Sequence, residues 1–264
     1  MSTTTSAAPI SLEARGITVA YDRSVVIESL QLEIAPRSFT VIIGPNACGK
    51  STLLRSLARL LKPSDGGVLL EGADLATLPT KAIARKLGLL PQTPLAPDGI
   101  TVSDLVGRGR YPHQRLLARW SEADERAVNN AMLATRIESL ADFPVDELSG
   151  GQRQRAWVAM TLAQEASVLL LDEPTTYLDV SHQYELLDLC NRLREQGRTI
   201  VAVLHDLNQA ARFATDLVVM HDGAVVATGT AREVLTQELV ETVFALPCIV
   251  IDDPISGTPM VVPR

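Results

Sequence analysis

With 264 residues, 46% of them hydrophobic, the chain can bury a substantial core in one domain, alone or with a subdomain. A net charge of −7 argues against a nucleic-acid partner, because binding a phosphate backbone normally calls for a basic surface. Cys48, Cys190 and Cys248 lack metal-ligand spacing and suit a reducing compartment, no apolar run approaches the ~18 residues of a membrane span, and "MSTTTSAAPI" is not a secretory signal, so a cytosolic chain that does not itself cross a membrane is expected.

After a polar start that reads as frayed, "ITVAY" and "LQLEI" alternate in strand fashion and are expected to pair antiparallel. "FTVIIG" is a continuous apolar run, as in a buried central strand. It feeds "GPNACGKST", Gly44 to Thr52, in which Gly44, Gly49, Lys50 and Ser51 satisfy the G-x-x-x-x-G-K-[ST] pattern. Such a loop turns backbone N–H groups inward around phosphates, the lysine reaches the β and γ phosphates, and the Ser51 hydroxyl ligates Mg²⁺. Cys48 reads either as a small loop residue or as a thiol activated by the helix start. Leu53, Leu54, Leu57, Leu60 and Leu61 place one apolar face on the following helix, which Pro63 and Gly66 stop.

"GGVLLEG" and "LGLLPQ" are further strands, and Gln92 at the end of the second can reach a metal or a water through its amide. From about residue 93 to 164 helical patterns dominate, notably "SEADERAVNNAMLAT" with Ser121 as cap and an acidic first turn. This stretch reads as a helical subdomain inserted into an α/β core at about 12–92 and 165–250. Within it, "DELSGGQRQR" pairs Ser149, Gly150 and Gly151 with a helix start, whose free N–H groups suit an anion. A plain N-cap at Ser149 would leave Gln152 and Arg153 unaccounted for.

"VLLLDEP" is a buried strand with Asp172 at its carboxyl end, where open α/β sheets bind ligands. Asp172 can hold Mg²⁺ through water, and Glu173 can orient or deprotonate an attacking water. The alternative is an acidic pair capping the turn at Pro174. "SHQYELLDLCNRLREQG" reads as a helix ending at Gly197, and "TIVAVLHD" as a buried strand ending at His205. A lone histidine can be structural, but at a strand end beside the expected nucleotide site His205 is expected to contact a γ-phosphate. "DLVVMHDG" and "AVVATG" form a terminal hairpin around Asp222 and Gly223. Strand–helix alternation with continuous apolar strands implies a mostly parallel sheet covered on both faces.

In this order the motifs resemble the ATP-binding cassette family from about Leu12 to Val250: Walker A "GPNACGKST", Q-loop "LLPQ", signature "LSGGQRQR", Walker B "VLLLDEP", D-loop "YLD" and switch "LHD". The resemblance implies a P-loop NTPase core of mostly parallel sheet, an antiparallel β subdomain and an inserted α-helical subdomain. It implies ATP and Mg²⁺ as ligands. Gly44, Pro45, Asn46, Ala47, Cys48, Gly49, Lys50, Ser51 and Thr52 would wrap the phosphates, and Tyr21 in "VAYD" would stack on adenine. Ser51, Gln92 and Asp172 would hold the metal, and Lys50, Gln92, Glu173 and His205 would serve hydrolysis. Ser149, Gly150, Gly151 and Gln152 would contact the γ-phosphate held by the other copy of a head-to-tail homodimer, and Asp179 would help join the copies. Ala47 departs from the glycine of many relatives, at a variable position of the pattern.

"GRYPHQRLLARWSEADERAV", "DEPTTYLDVSHQ" and "HDLNQAARFATDLV" resemble the ATPase subunits of bacterial ferric-siderophore importers, whose architecture haem and cobalamin importers share. That resemblance implies integral membrane permease subunits and an external substrate-binding protein as separate chains, a peripheral position on the cytoplasmic face of the membrane, and no nucleic acid. The competing reading is a soluble cassette ATPase acting on DNA or ribosomes. Against repair-type relatives, the Gln92-to-Ser149 stretch carries no sustained heptads.

Overall fold

The computed structural model describes residues 11–22, 24–114 and 120–264. The start expected to be frayed and part of "GRYPHQRLLARW" lie outside them. β1 (Leu12–Tyr21) and β2 (Ser24–Ile34) pair antiparallel as expected, and β3 (Phe39–Ile43) runs into α1 (Lys50–Leu57). β4 (Asp65–Leu70), β5 (Ala73–Asp74), α2 (Thr80–Ala84) and β6 (Leu87–Leu90) follow. Next come the helices α3 (Val102–Gly107), α4 (Glu122–Ala134) and α5 (Gly150–Ala163). Strand–helix alternation then resumes with β7 (Val168–Asp172), α6 (Val180–Glu195), β8 (Thr199–Val203), α7 (Leu207–Phe213) and β9 (Asp216–His221). The chain closes through β10 (Ala224–Gly229), α8 (Ala231–Val234), α9 (Gln237–Phe244), β11 (Cys248–Asp252) and β12 (Pro259–Pro263).

One sheet has the order β2-β1-β4-β5 and is antiparallel throughout. The larger sheet has the order β10-β9-β3-β8-β7-β6 and is parallel except for β10. Its central strands are continuous apolar runs because both faces are covered. Phe39, Val41 and Ile43 of β3 join the core shared with α3 to α6, whereas Ile42 faces the opposite core beneath α1 and the antiparallel sheet. β7 and β8 divide in the same way, Leu169 and Leu171 against Val168 and Leu170, and Ile200 and Ala202 against Val201 and Val203.

Two expectations need correction. The helix after the glycine-rich loop stops at Leu57, well before Pro63, because Arg59 enters the left-handed region at φ 58°. Its guanidinium donates to the Leu75 and Leu78 carbonyls, and Leu60 points outward, 69% exposed. The β9–β10 hairpin does turn at Asp222 and Gly223, both at positive φ, but it is not terminal. β9 also pairs parallel with β3, so this hairpin completes the central sheet, and α8, α9 and the β11–β12 pair follow it.

α3, α4 and α5 pack on one another around a buried ion network. Ser121 caps α4 through a capping box with Asp124, and Asp124 also accepts from Arg110 Nε at 2.9 Å. Arg110, only 4% exposed, donates further to the Ala163 carbonyl and to Glu165. Burial pushes the Asp124 carboxyl up, but hydrogen bonds from Ser121 and Arg110 outweigh it and leave its pKa lowered. Arg110→Leu would strand that carboxylate, and a broken buried pair of this kind costs about 3–5 kcal/mol. The stabilisation from a lowered carboxyl is present above its unfolded value of about 3.9 and is lost as pH falls through the folded value. Urea unfolding should therefore show a large gap between parent and Arg110→Leu at pH 7 that narrows below about pH 4. Among the described residues, no helix is long and apolar enough to cross a membrane.

Candidate nucleotide site

The glycine-rich loop bridges the end of β3 and the start of α1. Gly44 is required there, since a Cβ would collide with the Met220 carbonyl and lie 2.8 Å from Cys48 Sγ. The Lys50 ammonium folds back over the loop and donates to the carbonyls of Gly44 at 2.8 Å and Pro45 at 2.7 Å. A cavity of about 480 Å³ opens above it. Asn46, Ala47, Gly49, Lys50, Ser51 and Thr52 line it from the loop and α1, and Val26 contributes from β2. Nothing in the alternation of β2 marks Val26 in advance.

The parallel sheet brings three distant residues to the same cavity. Gln92 follows β6, Glu173 follows β7 and His205 follows β8, so all three lie beyond the carboxyl ends of neighbouring strands. Asp172, the last residue of β7, is 1% exposed and accepts from the Ser51 hydroxyl at 2.9 Å. Burial pushes its carboxyl pKa up and the neighbouring Glu173 charge adds to this, against the lowering from Ser51. A buried carboxylate in this position gains from a cation. The donors at hand are a hydroxyl, a carboxylate and the Gln92 amide, all of which can offer hard oxygens. Among the described residues there is no group of three or more His, Cys, Asp or Glu that could hold a metal. Few protein ligands of oxygen type fit Mg²⁺ better than a softer metal, since Mg²⁺ takes much of its shell from water and phosphate.

Glu173 sits in the left-handed region at φ 52°, a conformation that costs of order 1–3 kcal/mol in a non-glycine residue. Its Oε1 lies 2.8 Å from His205 Nε2, and its Oε2 accepts from Thr176 Oγ1 at 3.4 Å. Asp172 is thus committed to Ser51 and Glu173 chiefly to His205, so the pair is not spent on capping the turn at Pro174. The arrangement offers a phosphate cradle, a lysine, three oxygen donors for a cation, and a carboxylate steadied by an imidazole.

Several expected site residues stand apart from this cavity. Tyr21 ends β1 half-exposed and does not line it. Cys48 is 4% exposed, lies outside the lining, and burial pushes its thiol pKa up despite the nearby Lys50. That makes it a packed loop residue with little thiolate. Iodoacetamide at pH 7 should therefore label native Cys48 far more slowly than the urea-unfolded chain, as peptide mass spectrometry would measure.

Ser149, Gly150, Gly151 and Gln152 open α5 away from this cavity. Ser149 Oγ accepts from the Gln152 N–H at 3.3 Å, and Gln152 Oε1 accepts from the Ser149 N–H at 3.0 Å. Arg153 donates to the carbonyls of Val145, Asp146 and Leu148. The expectation that a cap leaves Gln152 and Arg153 unaccounted for is thus wrong: one completes a capping box and the other ties the preceding turn. Asp179 caps α6, and the His182 N–H, at 3.0 Å, holds its carboxyl below the usual range.

A family model described as ABC transporter matches residues 27–176, more than half of the chain. The ferric enterobactin transport ATP-binding protein of Escherichia coli (strain K12) is 54% identical over 96% of this chain and 93% of its own length. The petrobactin import ATP-binding protein FpuD of Bacillus anthracis is 51% identical over 96% of this chain and 93% of its own. A dimeric structure of a bacterial ABC transporter cassette superposes with a TM-score of 0.73 at 27% identity, covering 83% of this chain and 98% of the cassette.

Proposed function

The chain belongs to the ABC transporter family, and we propose that it is the ATP-hydrolysing subunit of a bacterial ferric-siderophore importer. The observation that carries the ATPase reading is the convergence of Gln92, Glu173 and His205 on the cavity of the glycine-rich loop. The siderophore reading draws on the two relatives named for enterobactin and petrobactin, because this chain touches nucleotide and not cargo.

In this reading Lys50 exchanges the Gly44 and Pro45 carbonyls for β and γ phosphate oxygens, and the loop N–H groups hold the rest. Ser51, Asp172 and Gln92 would hold Mg²⁺, which would supply charge neutralisation at the phosphates. Glu173 takes the proton of the water that attacks the γ-phosphorus. His205 holds the Glu173 carboxylate in place and contacts the γ-phosphate. Tyr21 offers its half-exposed ring to adenine. Because Ser149, Gly150, Gly151 and Gln152 stand off the cavity of their own chain, they complete the site of a second copy in a head-to-tail homodimer, with Asp179 at the join.

Residues at about 12–92 and 165–250 serve as the nucleotide-binding core, and about 93–164 as a subdomain carrying the signature turn. Closure on ATP is passed to two permease subunits docked near Gln92 and the helices, with a substrate-binding protein acting on the far side. The chain then lies on the cytoplasmic face of the membrane. The test is co-purification with its permease, followed by ATPase assay in liposomes with ligand-loaded binding proteins. Stimulation by ferric siderophore and not by haem or cobalamin is expected; stimulation by cobalamin alone would overturn the substrate class.

A further inference from the structure

Between Glu173 and Asp179 the chain makes a short loop with two non-glycine residues in the left-handed region, Glu173 at φ 52° and Tyr177 at φ 67°. Backbone of this kind persists only where its surroundings over-determine it. Three glutamine side chains supply much of that determination. Gln154, in the second turn of α5 and buried, donates from Nε2 to the Pro174 carbonyl at 3.0 Å. Gln183 of α6 donates from Nε2 to the Leu178 carbonyl at 3.0 Å and reaches the Thr175 carbonyl at 3.4 Å. Gln209 of α7, also buried, donates to Gln183 Oε1 at 2.7 Å.

The amide orientations follow from chemistry. A carbonyl can only accept, so Gln183 must turn its NH₂ to Leu178 and its oxygen outward, which leaves Gln209 as the donor. The helices that supply these amides each begin at a functional motif. α5 begins at the Ser149–Gly150–Gly151 turn, α6 at Asp179, and α7 just beyond His205. The turn of α5 also packs on the loop directly. A Cβ at Gly150 would lie 3.3 Å from Tyr177 Cβ, and one at Gly151 would lie 3.4 Å from the Tyr177 carbonyl oxygen.

We propose that Gln154 and the Gln209–Gln183 pair are positioning residues that brace the loop after Glu173, fixing its carboxylate against His205 and tying it to the signature turn of the same chain. This rests on the reading of Glu173 as the group that takes the water's proton. A shift at the signature turn when it meets the second copy's nucleotide then reaches the loop after Glu173 through the Gln154-to-Pro174 hydrogen bond and through the packing of Gly150 and Gly151 on Tyr177.

The test replaces each amide by an apolar side chain of similar length in the full chain: Gln154→Met, Gln183→Met and Gln209→Met. Misplacing a reacting group by about 1 Å can cost about a hundredfold in rate. Expected is a fall in kcat of about ten- to a hundredfold for Gln154→Met and Gln183→Met, and a smaller one for Gln209→Met, with KM for ATP held within about twofold. A merely structural role would lower the thermal midpoint and leave kcat per folded molecule unchanged; that result would overturn the proposal. Should Gln154→Met fail to fold, Gln209→Met decides by the same split between kcat and KM. Glu173→Gln, assayed beside them, separates the two readings. If it is inactive while the glutamine variants turn over like the parent, only the bracing falls; if it hydrolyses ATP at the parent rate, the premise falls first.

Discussion

Glu173→Gln should bind ATP as tightly as the parent, hydrolyse it about 10²–10⁴-fold more slowly, and accumulate as a closed dimer. The amide keeps the size of the carboxylate and a partner for His205, whose Nε2 lies 2.8 Å from Glu173 Oε1. It cannot take a proton. The groups proposed to grip the phosphates, Lys50, Ser51 and the loop N–H groups, lie on other elements and are untouched. Nucleotide affinity by titration, single-turnover hydrolysis and size-exclusion chromatography with ATP would measure the three parts separately. Hydrolysis at the parent rate would remove Glu173 from its role.

The second large effect is a complementation. On the proposed head-to-tail arrangement, Ser149→Arg puts a bulky cation where the second copy's triphosphate would lie, and Lys50→Ala removes the loop's ammonium; each homodimer should lose nearly all turnover. Mixed together, they form heterodimers in which one of the two composite sites pairs an intact loop with an intact signature turn. Activity should recover on mixing and pass through a maximum near equal amounts. No recovery at any ratio would refute sharing of the site between copies. The structure frames this test closely, since Ser149 lies outside the lining of its own chain's cavity.

Legibility in the sequence followed burial and turn chemistry. β3, β7 and β8 are readable because strands covered on both faces are continuous apolar runs, and every residue of each is buried. The glycine-rich loop, the Ser121 cap and the helix expected over Ser181 to Gly197, found as α6, are readable from local rules, and they fold as local rules require. The convergence of Gln92, Glu173 and His205 is legible only as positions after strands; which strands neighbour one another is set by pairing across long sequence separations. The end of α1 was hidden because Arg59 satisfies the Leu75 and Leu78 carbonyls, partners that no window around residue 59 contains. The three bracing glutamines lie inside recognisable motifs, yet Gln154 and Gln183 donate to backbone carbonyls, which carry no signature of residue type, and Gln209 meets the Gln183 side chain from a different helix.

β3 gains both of its neighbours from the later part of the chain, β8 on one side and β9 on the other. The loop that follows it leans on the same late segment, because the Gly223 N–H donates to the Cys48 carbonyl at 3.1 Å and Gly44 abuts Met220. During synthesis, then, the strand that launches the nucleotide site waits without sheet partners until Thr199 to Gly223 has left the ribosome. A chain ended before Thr199 holds the complete GPNACGKST motif but lacks both strand neighbours of β3 and the contacts that Met220 and Gly223 make with the loop. Competence for ATP is therefore expected to arrive late in translation, with the unpaired edges of β3 exposed until then.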